Sequence, residues 1–208
     1  MADKNLENRH LNTLDRDLGR FSSINNAILS STHPLANLII SLIFIIVSGA
    51  VAMFFFADTG QAIIVVIAAG LGAYMALNIG ANDVANNMGP AVGANALTMG
   101  GAIAIAAIFE SAGALLAGGD VVSTVAKGIV SPQSMQTSTI FIFAMLSALL
   151  AAALWVNLAT WVGAPVSTTH SVVGGVMGAG IAAAGFAAVN WPTMGKIAAS
   201  WVISPVLG

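Results

Sequence analysis

Residues 80–87 read Gly-Ala-Asn-Asp-Val-Ala-Asn-Asn, one carboxyl and three carboxamides set between long runs of Ala, Gly, Ile, Leu and Val. Oxygen ligands gathered inside apolar sequence are what a protein needs to hold a small ion away from bulk water. If the stretch is helical, Asp83 shares a face with Asn86 at i+3 and Asn87 at i+4, and Asn82 sits one turn from Asn86. One negative group among neutral carbonyl oxygens suits a hard cation such as sodium. Asp83 could instead take up a proton. The structural alternative is that the asparagines hydrogen-bond between helices and Asp83 is paired or neutral. An ionisable group at membrane depth is costly, which favours a function for Asp83.

The surroundings make lipid the solvent. Eight of the 14 charged residues lie in the first 20 positions, and the other six are Asp58, Asp83, Glu110, Asp120, Lys127 and Lys196. No soluble domain keeps its surface wet with so few charges. The charges of the first 20 residues cancel and no basic patch exists, which excludes a nucleic-acid partner. The absence of cysteine excludes disulfides, thiolate metal sites and cysteine nucleophiles. Residues 1–36 read as a polar tail rather than a signal peptide, because the first apolar run begins too late.

Outward from the motif, residues 37–57 carry no charge over 21 positions, enough for one crossing, and residues 58–61 connect it to a second span over 62–79. Five glycines and Pro90 between Gly80 and Gly101 argue against one uninterrupted helix, so a broken or re-entrant helix is expected there. A third span over 99–118 contains Glu110. Its face of Ile103, Ala106, Ala107, Gly113, Ala114 and Ala117 predicts a packed surface with Glu110 pointing inward. Residues 119–138 read as an extramembrane loop, holding Asp120 and Lys127, and 139–163 as a fourth span. Residues 190–192 form a turn, and the last segment, 194–208, is apolar but too short for a full span. The chain thus reads as five or six crossings, cut short in apolar sequence.

The second polar run, Val166-Ser-Thr-Thr-His-Ser171, follows Pro165 at the expected start of a helix. Hydroxyls and free backbone amides at the positive end of a helix dipole make an uncharged cradle for an anion such as phosphate or sulfate. The alternative is that Ser167, Thr168, Thr169 and Ser171 only cap a helix end. His170 either satisfies an interhelical hydrogen bond or relays protons. Lys196 can snorkel to an interface.

Four stretches in order, GANDVAN (80–86), GPAVGANALT (89–98), IFE (108–110) and PVSTTH (165–170), closely resemble the N-terminal half of the inorganic phosphate transporter (PiT) family over about residues 62–208. The resemblance implies an all-α polytopic membrane protein, one repeat of an inverted-repeat transporter with broken or re-entrant helices. It divides the chain into a tail (1–36), an extra transmembrane helix and connection (37–61) and the N-terminal repeat (62–208), with the second repeat missing. It also implies that Asn82, Asp83 and Asn86 bind the driving cation (Na+ as a metal site, or H+), that Ser167, Thr168 and Thr169 bind phosphate, and that Glu110 is a transport residue. Asn87 and Met88 depart from the alanine and the phenylalanine or isoleucine of many relatives, and the span at 37–57 is additional to the common family pattern.

The expected activity is ion-coupled inorganic phosphate symport across the plasma (inner) membrane, with the tail in the cytoplasm, no cofactor and no enzymatic reaction. The partners are phosphate, the coupling cation, the lipid bilayer and, for an isolated half, a second copy of the chain. Rival readings are a permease for sulfate or another oxyanion, a receptor or structural role for the half, and an intramembrane hydrolase using Ser167 or Ser171 with His170. The last is opposed by the lack of a nearby orienting carboxylate.

Overall fold

In the computed structural model the described residues are 34–207, and their regular structure is helical, apart from one isolated antiparallel bridge between Val130 and Val189. The tail reading falls mostly on residues outside that range. Six helices follow in order: α1 (Pro34–Phe56), α2 (Ala62–Gly93), α3 (Met99–Ser123), α4 (Ser138–Trp161), α5 (Thr168–Ala184) and α6 (Trp191–Leu207). Four of them hold stretches long and apolar enough to cross a membrane: Ala36–Phe56, Ala62–Gly93, Met99–Ser123 and Ser138–Trp161. The chain divides within α1 into two units, Met1–Phe44 and Ile45–Gly208, and everything below concerns the second.

α4 is the organising helix. Thr137 caps it, its side chain accepting from the Ile140 amide at 3.2 Å. Its buried residues are almost all alanine: Ala144, Ala148, Ala152, Ala153 and Ala159, with Val156. Ala144, Ala148 and Ala152 recur at i+4 and present one smooth ridge to α5, which answers with glycine. A methyl group at Gly175 would come within 2.7 Å of the Ala148 carbonyl oxygen, so the backbones touch where only glycine fits. Met75 of α2 packs with Ala152, Ala153 and Val156 in a second small core, which places α2 on another side of α4.

The break expected between Gly80 and Gly101 is present and falls over residues 94–98; the helix read as a span over 62–79 runs on through the motif and Pro90 to Gly93, and two other expectations, taken next, are corrected. Pro90 removes only one donor, the one its own amide would give to the Asn86 carbonyl, which a helix survives. Asn95 makes the turn instead, at φ +58°, a left-handed conformation that asparagine tolerates, and Thr98 then caps α3 by accepting from the Gly101 amide.

Residues 119–138 are not one extramembrane loop. α3 extends to Ser123, a π-helical turn continues over Thr124–Gly128, and Ile129 and Val130 are fully buried in the main core with Val173, Val176 and Val189. Val130 packs where a side chain at Gly180 would stand. The polar residues from Ser131 onward hid this buried pair in the sequence. The 190–192 turn is present, but the last helix begins within it at Trp191, because the Asn190 side chain accepts from the Thr193 amide and Pro192 fits a first helical turn.

Candidate ion-binding site

α2 carries a stripe of asparagines at i, i+4 and i+8: Asn78, Asn82 and Asn86. α4 lies parallel to it at this level and offers Asn157 and Thr160, one turn apart. Asn157 Nδ2 donates to Asn78 Oδ1 at 2.9 Å, and Asn82 Nδ2 donates to Thr160 Oγ1 at 3.2 Å. Asn86 Nδ2 donates to Asn82 Oδ1 at 2.9 Å. Asn78 and Asn82 are each 5% exposed, and among the described residues no buried side-chain polar atom lacks a partner. That completeness is what makes a polar seam tolerable in an apolar interior.

Asp83 stands beside this seam on the face of α2 that meets the start of α5. Its Oδ2 accepts from Thr168 Oγ1 at 2.8 Å, joining residues 85 apart in sequence. Thr168 is buried, the first residue of α5, and is held there because Ser167 caps the helix: Ser167 Oγ accepts from the His170 amide at 3.2 Å, and its carbonyl accepts from the Ser171 hydroxyl at 2.8 Å. The two polar runs read separately in the sequence are therefore in contact. Between the end of α4 and the motif lies a cavity of about 320 Å³, lined by Asn82, Asn86, Thr160, Gly163 and Pro165 among others.

The other singled-out residues are placed differently. Ser167 is the helix cap, as the structural alternative held, and Thr169 is exposed. The His170 ring lies against Trp201 of α6, ring centres 3.8 Å apart and nearly edge to face. Asn86 is exposed and lines the cavity, and Asn87 is exposed with no side-chain hydrogen bond among the described residues.

Glu110 does not point inward: it is exposed on α3, and of its small-residue face only Ala106 is buried. Small residues permit a close approach, but among the described residues only Ala106 of this face is covered. Residues the sequence reading missed are Asn78, Asn157 and Thr160. The i+4 repeat from Asn78 to Asn86 was the available signal for the first; for the other two only a polar pair inside an apolar span marked the place.

Comparison with known proteins bears on this arrangement. A model of the phosphate transporter family matches residues 79–208, which takes in the motif, Thr160 and the whole Ser-Thr run. A Helicobacter pylori (strain J99) protein, named by inference as a phosphate permease, is 49% identical over 93% of this chain and 36% of its own length, an alignment long enough to include α1. "Inorganic phosphate transporter 2-1, chloroplastic" of Arabidopsis thaliana is 51% identical over 66% of this chain and 24% of its own.

A solved structure of a sodium-dependent phosphate transporter is similar with a TM-score of 0.65 and 51% identity, over 69% of this chain and 36% of that one. The chain spans about a third or less of the length of these relatives. With an all-helical architecture, four helices able to cross a membrane and the family's sequence running unbroken through the site, the chain belongs to the phosphate transporter family.

Proposed function

We propose that the chain forms one half of an ion-coupled importer of inorganic phosphate, with sodium as the coupling ion. The observation that carries this reading is the 2.8 Å hydrogen bond from Thr168 to Asp83, which puts the anionic residue and the hydroxyl-bearing helix start in direct contact. Phosphate carries one to two negative charges, and bringing each inward against a negative-inside potential costs roughly 2.3 kcal/mol per 100 mV. A cation bound at Asp83, with the Asn82 and Asn86 carboxamides, offsets that cost.

Cation binding also gives the Asp83 carboxyl another partner, which releases the Thr168 hydroxyl and lets it join the Ser167 hydroxyl, Thr169 and the free amides of α5 on the anion. Cation and phosphate then load together, and the site exchanges access between the two sides. Sodium is favoured by the donor set, one carboxyl and neutral oxygens, and by the similarity to a sodium-dependent transporter. The importer sits in the plasma (inner) membrane with its N-terminal tail in the cytoplasm. Glu110, exposed on α3, contributes to transport from outside this half-site.

The hydrolase alternative finds no support: the Ser171 hydroxyl donates to a backbone carbonyl and the His170 ring packs on Trp201. Asp83→Asn tests the proposal. Uptake of labelled phosphate driven by a sodium gradient is expected to disappear while membrane insertion continues, and normal uptake by this variant ends the proposal. Equal competition by sulfate would widen the substrate class to tetrahedral oxyanions.

A further inference from the structure

The two ends of an asparagine side chain have the same shape and opposite chemistry. Whether an asparagine offers an oxygen or an amino group to an ion is settled by its other hydrogen bonds. At the Asn82 rung that choice is made on α4.

The Thr160 hydroxyl lies 2.8 Å from the Val156 carbonyl oxygen, one turn earlier in the same helix. A carbonyl can only accept, so the single hydroxyl proton goes there, and Thr160 Oγ1 is left as an acceptor toward α2. Asn82 must therefore turn its amino group to Thr160, at 3.2 Å. Its oxygen then faces Asn86 and takes that residue's amino group, at 2.9 Å. The sequence of constraints ends with the Asn86 side-chain oxygen, which no described residue engages. Asn86 is exposed, lines the 320 Å³ cavity, and stands at i+3 from Asp83, whose Oδ1 is the carboxyl oxygen not used by Thr168.

We propose that Thr160 is a positioning residue for cation coupling: through Asn82 it fixes the polarity of Asn86, so that an oxygen and not an amino group stands beside Asp83. The proposal rests on the reading that this half-site takes the driving cation. Thr160 itself touches no ion. The upper rung works by the same rule, since Asn78 Nδ2 donates to the Tyr74 carbonyl at 2.8 Å and so must present its oxygen to Asn157. It holds the helices together without reaching the cavity.

The test compares Thr160→Val, which keeps the shape and removes the hydroxyl, with Thr160→Ser, which keeps the hydroxyl, in the intact protein in proteoliposomes. Thr160→Val is expected to raise the sodium concentration for half-maximal phosphate uptake about tenfold, the scale on which partners of metal ligands act. The half-saturating phosphate concentration at saturating sodium should stay unchanged, and Thr160→Ser should restore the sodium dependence.

A second arm uses Asn86→Asp, which presents oxygen whichever way it turns. Thr160→Val should add nothing on that background. An unchanged sodium dependence in Thr160→Val, or an equal loss on the Asn86→Asp background, overturns the proposal. The sodium-induced rise in thermal midpoint is read on the same preparations without phosphate. If sodium raises the midpoint and Thr160→Val abolishes the rise while the unsubstituted protein takes up no phosphate, the transport reading fails and the positioning role stands.

Discussion

α2 has two sides built from similar residues and used in opposite ways. Toward α4 and α5, the asparagines find partners and Asp83 is hydrogen-bonded to Thr168, on a pair of helices whose own alanines and glycine meet at backbone contact. Toward α3, the same kind of composition leaves a cavity of about 500 Å³ between Gly80–Gly93 and the start of α3, only Ala102 and Ala106 are buried, and Glu110 is exposed. Small residues allow helices to approach but supply little attraction by themselves. What closes the α4 side is complementarity: a ridge facing a groove and a donor facing each acceptor.

The comparison can be broken by substitutions that the two sides should feel unequally, all read as unfolding free energies in detergent. The largest loss is expected at Gly175→Ala, about 3 kcal/mol, the upper end for overpacking, because the added methyl meets the Ala148 backbone rather than a movable side chain. Thr168→Val leaves Asp83 Oδ2 without its donor and should cost about 2 kcal/mol, within the range for hydrogen bonds to charged groups, with Thr168→Ser close to wild type.

Asn157→Leu removes the upper rung and should cost about 1 kcal/mol, since Asn78 keeps its bond to Tyr74 and loses only one partner. Glu110→Gln should change stability by less than about 0.5 kcal/mol, as substitutions away from packed features do. A loss at Glu110 as large as that at Thr168 would show that α3 has a partner in the folded protein, and the contrast between the sides would collapse.

Much of this was legible in the residues. The scarcity of charge marked lipid as the solvent, and the span read over 139–163 lies within two residues of the observed ends of α4. The sequence also marked Asp83 and the Ser-Thr run as the two polar places. The course of α2 through Pro90 was not legible, because glycine and proline raise the cost of a helix without setting what neighbouring packing offsets. Nor was the burial of Ile129 and Val130, which depends on the empty side of Gly180, fifty residues away.

By itself, then, the sequence determined that the chain is an all-helical membrane protein of the phosphate transporter family, and which side chains could carry an ion. Composition and local spacing suffice for that, since hydropathy and i+4 periodicity are properties of consecutive residues. Only the tertiary structure decided that Asp83 meets Thr168, that Thr160 and Asn157 belong to the seam, and that Glu110 stands outside it. Those are facts about which helix faces which. They depend on surfaces brought together from 80 residues apart, and a hydrogen bond has no meaning until both of its partners are in place.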